Sequence, residues 1–451
     1  MGAKKKSGDG KGVRGELKRL GAARLAEALA ELAERDDSAA ELVDRLLATP
    51  KENLTRYKRG LAGLKRSKKF VYYRYSFDFA NRLENLLALL AAAEPSPEEG
   101  FEAILGFFRA DEATLGRSDD SSGVIGDVFR ISALDLLSDF AKGCSDKEAV
   151  ADEIFRLAEN DGYGVRGKVV ARAADFLPPD VARGLAERFL AAFSASRSDS
   201  VYSFPLLAAG IAEGLLDVEL LETALSSCGR EGLLSHDFIR LSRVCLRRGE
   251  VDKAEEYFAL VGGGVDRDQL EIEMLKAKGD APALGKKLRG EFKAYPSVSV
   301  FNELVALEGE NRRGELLSEM LGVIDGDASF NVDSVDFILE FGEVDALDGY
   351  VLARSEGVDG RRYDILPDVA KFLERNGRSL SASLVYRALL TSILTNKRYK
   401  AYGYAARYLK KLDKLADAID DWTGFEPHDE FKKRVREEHR LKTSFWAKYD
   451  G

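Results

Sequence analysis

Cysteine is scarce in this chain. Cys144, Cys228 and Cys245 are the only three, widely spaced and without a CxxC pair. That pattern argues against a disulfide framework or a cysteine zinc site and favours reduced thiols in a cytosol. Histidine is equally thin: His236, His428 and His439 do not stand at the helical or loop spacing that a histidine metal site requires. No run of roughly 18 apolar residues occurs, so no segment is expected to span a membrane. The opening "MGAKKKSGDGKG" is cationic but lacks an apolar segment behind it, which argues against a secretory signal. It also misses the myristoylation pattern, since Lys6 stands where Ser or Thr is wanted. No GxSxG elbow or Cys-His signature is present, and acids number 77, too many for any pair of them to mark catalysis. Asn-Gly or Asp-Gly hairpins between alternating strands are missing as well. These absences lead to a non-enzymatic chain with no cofactor and no metal.

What is present is helical periodicity. "GVRGELKRLGAARLAEALAELAER" sets Leu17, Leu20, Leu25, Leu29 and Leu32 on one amphipathic stripe. "DSAAELVDRLLATP" starts at a capping Asp37 or Ser38 and stops at Pro50, and a later helix ends at Pro95 and Pro97. The likeliest extended piece is "FKAYPSVSVFNELV". Apolar residues at 45% suffice for a continuous core, and 41 glycines suit many helix ends.

Two stretches share one spacing. Phe238, Leu241, Cys245, Gly249, Ala254, Phe258 and Val261 occupy the positions of a tetratricopeptide-type hairpin. Leu366, Val369, Leu373, Gly377, Ala382, Tyr386 and Leu389 form the equivalent set, and Leu275, Gly279, Leu284 and Leu288 a weaker one. A small alanine lets two helices approach, an aromatic fills the groove beside it, and the glycine permits the turn. The expected fold is all-α, an irregular α-solenoid of antiparallel helical hairpins. Its divisions are read as a disordered basic tail (1–12), an N-terminal helical region with a basic, aromatic segment (13–94) and a helical-repeat region (95–230). Tetratricopeptide-like repeats (231–396) and a basic, aromatic C-terminal cap (397–451) complete it.

One motif invites a nucleotide reading. In "NDGYGVRGKV", Gly162, Gly164 and Gly167 satisfy GxGxxG, and Gly162 to Lys168 spells GxxxxGK. Both loops need a preceding strand, and the second needs Ser or Thr after the lysine. "DEIFRLAEN" precedes it instead, and Val169 holds the hydroxyl position. The glycines are read as a turn between helices, and no nucleotide is expected there.

Charge is uneven. The formal total of −9 divides into roughly +9 for residues 1–82, about −23 for 83–386 and about +6 for 387–448. Three polar clusters follow. In "KRSKKFVYYRYSFDFANRL", Lys65, Arg66, Lys68, Lys69, Tyr72, Arg74 and Tyr75 mix cations with rings, as single-stranded nucleic acid binding requires. The bland alternative there is a buried helical face of Phe70, Tyr73, Phe77 and Ala80, whose spacings of three and four favour it. Lys397, Arg398, Tyr399, Lys400, Tyr402, Tyr404 and Arg407 form a second candidate surface. Asp119, Asp120 and Asp127 form a third, as polar residues of a groove. A calcium loop is not read there, because no acid closes it, and capping by Asp120 or Ser121 explains the cluster better.

The combination of "DDSSGVIGDVFR", "NDGYG", "YRALLTSILTNKRYKAYGYAARYLKKL" and the closing "HRLKTSFW" resembles a bacterial family of unknown function made of helical repeats. The C-terminal part is similar to segments that accompany SWIM zinc fingers, although the CxC and CxH ligands of that finger are absent. The resemblance implies fold and a cytoplasmic bacterial setting, and carries over no catalytic residue. The expected function is a non-catalytic scaffold that holds a protein partner on its helical-repeat surface. The alternative is an accessory protein bound to nucleic acid through its basic ends, of the type found in defence loci. An unrecognised hydrolase is a weaker third reading.

Overall fold

A computed structural model of the chain describes residues 10–159, 161–195, 202–228 and 232–451. Residues 1–9, most of the expected basic tail, and Asn160 lie outside the described residues. The chain gathers into two compact units, Met1–Leu270 and Glu271–Gly451. Among the described residues there are only helices and connections. The lone β contact is an isolated parallel bridge between Val71 and Ser118.

The all-α reading holds, with one local correction. The piece expected to be extended, residues 292–305, is shared by helices Ala281–Ala294 and Val298–Glu308. Ser297 starts the second of them by accepting from the Val300 N–H at 3.3 Å. Phe301, Leu304 and Val305 then fall on one buried face, the helical and not the strand period.

Within each unit, helices pack mainly on their chain neighbours. In the first, Pro179–Ala195, Phe204–Leu215, Val218–Ser226, Ser235–Arg248 and Val251–Ala259 follow one another in this way. In the second, Leu366–Arg375, Ser379–Thr395 and Tyr402–Ala416 do the same. Each unit has its own core. Phe107 lies 4.8 Å from Phe129 and Phe155 4.8 Å from Phe189 in the first; Phe292, Phe301, Phe337 and Phe341 interlock in the second. Full burial of a ring such as Phe107, Phe189 or Phe301 contributes about 1.5–3 kcal/mol.

One turn design recurs along the chain. At Gly249, φ is 77°, its N–H donates to Leu246 O (3.0 Å) and the Glu250 N–H to Cys245 O (2.9 Å). At Gly377, φ is 73°, and the equivalent bonds run from Gly377 to Glu374 O (3.2 Å) and from Arg378 to Leu373 O (2.9 Å). This is a Schellman closure, whose left-handed residue glycine adopts without steric cost. The same two bonds occur at Gly279 and Gly342, and at two residues that carry a Cβ, Leu216 and Lys397. From Leu216 through Gly249, Gly279, Gly309, Gly342 and Gly377, positive-φ turns return at intervals of 30 to 35 residues, near the tetratricopeptide period. Both strong hairpins behave as their spacing requires. Ala254 and Ala382 are wholly buried, as are Leu241, Cys245, Leu373 and Leu389.

The apolar stripe near the N-terminus behaves differently. Leu17, Leu20 and Leu32 are exposed, and helix Ala22–Ala33 buries no residue. Its main neighbour is helix Asp37–Leu47, whose Leu46 and Leu47 are exposed too.

The glycine stretch at 161–167 is a capping device. Helix Lys147–Ala158 precedes it. Asp161 accepts from Val165 N–H (3.1 Å) through Oδ1, and from Arg166 (3.1 Å) and Gly167 (2.9 Å) N–H through Oδ2. The N–H groups that a phosphate would need are occupied by a carboxylate of the chain's own. "DSSGVIG" at 120–126 repeats the arrangement: Asp120 accepts from Ile125 N–H at 2.9 Å and Gly126 N–H at 2.8 Å. Gly123 and Gly164 both take positive φ, 76° and 66°. The shared spelling DxxGVxG therefore encodes an Asp-capped helix entry used twice.

Candidate nucleic-acid interface

The basic, aromatic segment is held as a strap across the first unit. Helix Pro50–Arg66 opens with a capping box, Glu52 N–H to Thr49 Oγ1 (3.3 Å) and Thr49 N–H to Glu52 Oε2 (2.8 Å). Its buried Tyr57 donates to Ala103 O at 2.8 Å, which anchors the helix that delivers Lys65 and Arg66. The chain then runs extended until a single turn, Tyr73–Tyr75, leads into helix Ser76–Ala92.

Four hydrogen bonds fix the strap against the loop at 117–120. Val71 N–H donates to Arg117 O (2.9 Å) and Asp119 N–H to Val71 O (2.8 Å). The Arg117 guanidinium donates to Lys69 O (2.9 Å) and lies 4.9 Å from the Phe79 ring. Ser76, fully buried, donates from Oγ to Asp119 O at 2.8 Å. Burial pulls Arg117 below the usual guanidinium range. Two clusters far apart in sequence, at 65–75 and 119–120, are thus neighbours.

The expected buried face at Phe70, Tyr73 and Phe77 does not form. Phe70, Tyr72, Tyr73, Tyr75 and Phe77 are between 46% and 62% exposed, and of the proposed set only Ala80 is buried. The helical period begins only at Ser76, so the rings before it never share a helix with Ala80. Lys65, Arg66, Lys68, Lys69 and Arg74 are exposed, and among the described residues none of them forms an ion pair. Arg74 stacks on Tyr75 at 4.7 Å, and Phe70 meets Tyr72 edge-on at 5.2 Å.

The aspartates are taken up by local partners. Asp120 is consumed as the cap described above, and Asp119 accepts from the Ser121 hydroxyl at 2.5 Å. Asp127 is exposed and pairs with Arg130 at 3.3 Å. They do not converge, and among the described residues no group of three His, Cys, Asp or Glu side chains is arranged to hold a metal. The free thiols Cys144 and Cys245 are buried, and burial raises both above the ordinary thiol value.

The second sequence cluster divides. Tyr402 is buried, edge-on to Phe445 at 6.0 Å, and is no surface residue. Lys397, Tyr399 and Lys400 are exposed. Arg398, Tyr404 and Arg407 line a cavity of about 560 Å³ together with Tyr363, Lys371, Tyr408 and Lys411. Tyr404, Arg407, Tyr408 and Lys411 come from one face of helix Tyr402–Ala416, a spacing the sequence displays. Tyr363 arrives from the turn before the preceding hairpin and Lys371 from that hairpin's first helix, Leu366–Arg375, and nothing local marks them.

Fold and surface together define a helical-repeat protein that presents cations and rings on accessible segments. The chain belongs to a family of unknown function (DUF6880), matched over residues 14–201 and 186–448. Likeness to SWIM-associated segments is not among these findings. No curated protein matches the sequence. Among solved structures, a circular tandem repeat protein with novel repeat topology and enhanced subunit contact surfaces shares 15% identity, over 95% of this chain and 98% of that one. Its TM-score of 0.20 is too low for the likeness to carry meaning here. No described helix is long and apolar enough to cross a membrane.

Proposed function

We propose that the chain is a non-catalytic helical-repeat binding protein of the bacterial cytoplasm, which engages single-stranded nucleic acid through the strap Lys65–Phe77. The observation that carries this reading is the exposure of five rings interleaved with five unpaired cations. Every base has a π-face, so exposed rings accept any sequence, while Lys and Arg neutralise phosphate. A protein groove would call for an apolar patch with fewer lysines. Anisotropy of a labelled oligothymidylate tests it. Binding that weakens with salt at a log–log slope of about −3 to −4 fits five phosphate contacts on a single strand. Tyr72→Ala with Tyr75→Ala removes stacking of about 1–3 kcal/mol per base. Absence of binding at low salt discards the proposal.

A protein partner remains a second reading because of one observation, the exposure of Leu17, Leu20, Leu32, Leu46 and Leu47 on successive N-terminal segments. One stoichiometric protein retained at high salt in a pull-down, and lost in Leu32→Asp with Leu47→Asp, supports it.

A further inference from the structure

The cavity beside helix Tyr402–Ala416 has a chemistry of its own. Two of its three tyrosines are fixed. The Tyr363 hydroxyl shares a hydrogen bond with Ser392 Oγ at 3.0 Å, and Tyr408 packs 5.4 Å from the buried Tyr386 ring. Two of its four cations are already neutralised. Lys411 pairs with Glu374, which also accepts from Tyr386 at 2.6 Å, and Lys371 pairs with Asp368 at 2.8 Å. Arg398 and Arg407 differ. Among the described residues neither has a carboxylate partner, and each is parked on a ring: Arg398 4.7 Å from Tyr363, Arg407 4.4 Å from Tyr404. A stacked guanidinium is held in orientation while its in-plane N–H donors stay free for an anion. The Schellman turn at Lys397 positions Arg398, whose N–H donates to Ile393 O at 3.1 Å.

Flat apolar walls next to two unpaired guanidinia call for a ligand with an aromatic ring and an attached anion. A volume of about 560 Å³ lies inside the range of small-molecule sites, roughly 300–1,000 Å³. We propose that this cavity binds a nucleotide, free or at the end of a strand, with the base against Tyr404 and Tyr408 and the phosphate on Arg398 and Arg407. The site is independent of the strap, which lies in the other unit, and of the capped loop at 161–167. Phosphate matches the arginines because each presents two donors in one plane, and the tyrosines suit any base.

The test is calorimetric titration of the full chain with AMP, adenosine, inorganic phosphate and salicylate at fixed ionic strength. AMP is expected to bind saturably, with adenosine and phosphate each weaker by tenfold or so, because each supplies half of the recognition. Arg398→Ala with Arg407→Ala is expected to weaken AMP by roughly tenfold or more. Both residues are exposed, so melting temperature should hold, and oligothymidylate binding by the strap should be unchanged. Tyr404→Ala gives an independent check from the ring side. An oligonucleotide with a terminal phosphate competing better than one without it identifies a strand end as the source; equal competition by free AMP alone identifies the mononucleotide. The proposal is overturned if AMP shows no binding up to ~5 mM, if the double arginine variant binds AMP as well as the parent, or if phosphate alone matches AMP. Salicylate binding as tightly as AMP also overturns it, in favour of an aromatic carboxylate.

Discussion

The ion pair beneath the 161–167 turn offers a quantitative test of why that glycine-rich stretch exists. Arg166 donates from Nε to Asp111 Oδ2 at 2.7 Å and from Nη2 to Oδ1 at 2.5 Å, and its Nη1 donates to Leu157 O at 3.1 Å. The side chains are 8% and 1% exposed, so both charges are out of water. Asp111→Ala leaves a buried guanidinium with one carbonyl partner. Removing one partner of such a pair costs about 3–5 kcal/mol, a third or more of a typical folding free energy. For a unit of this size each kcal/mol shifts the midpoint by about 2–4 °C, which gives a fall on the order of 10 °C in thermal unfolding followed by circular dichroism. The exposed pair Arg35–Glu31, at 72% and 61%, supplies the contrast. Its loss should move the midpoint by no more than ~2 °C, since exposed pairs contribute under about 1 kcal/mol. Replacing both buried partners, Asp111→Leu with Arg166→Met, should recover much of the loss. If Asp111→Ala melts within ~2 °C of the parent, Arg166 is not placed as described, and the claim that this turn serves packing fails with it.

Three more outcomes follow from the same structure. Gly377→Ala should destabilise the second unit by about 1 kcal/mol, whereas Lys397→Gly should stabilise it by roughly 0.5–1 kcal/mol, because only the second relieves a Cβ in the left-handed region; urea midpoints that move in the same direction for both would contradict the shared turn design. Asp413 accepts from His428 Nε2 (2.8 Å), Lys432 Nζ (2.7 Å) and the Tyr449 hydroxyl (2.5 Å). Burial alone would raise its carboxyl, and these three bonds outweigh it, holding the group below its ordinary value of 3.8. A depressed folded value gives stability that is complete above 3.8 and disappears as pH falls through the folded value, so Asp413→Asn should flatten the acid limb of a stability–pH curve; an unchanged limb rules this out. Truncating Leu46 and Leu47 to alanine should leave stability within ~0.5 kcal/mol, as both are exposed, and a larger loss in thermal scans would mean that they are covered.

Local chemistry made much of the fold legible. Gly249 and Gly377 mark their turns because a Schellman closure needs a residue free to take positive φ, and Ala254 and Ala382 mark close helix approach. Asp120 and Asp161 announce helix starts for the same kind of local reason, although their common DxxGVxG spelling is too short to stand out as a repeat. The site was legible only in its composition. Arg398, Tyr404 and Arg407 stood out as cations beside rings, but Tyr402 from the same run is buried, since helix Tyr402–Ala416 turns that position towards Phe445. Tyr408 and Lys411 had a signal in their four-residue spacing from Tyr404 and Arg407. Tyr363 had none.

By itself the sequence determined that this is a chain of capped and glycine-closed helices, because caps, turns and amphipathic faces are settled by residues within about five positions of one another. Tertiary structure alone decided which rings stay wet. Phe70, Tyr73 and Phe77 have the spacing of a core face, yet Val71 pairs with Ser118 and Ser76 bonds to Asp119, which pins the strap in extended form and leaves its rings outside. The same distinction separates the glycines at 161–167 from a nucleotide loop. Their turn is written locally, but the partner that gives Arg166 its place, Asp111, comes from far earlier in the chain, and no periodicity reports a contact made across that separation.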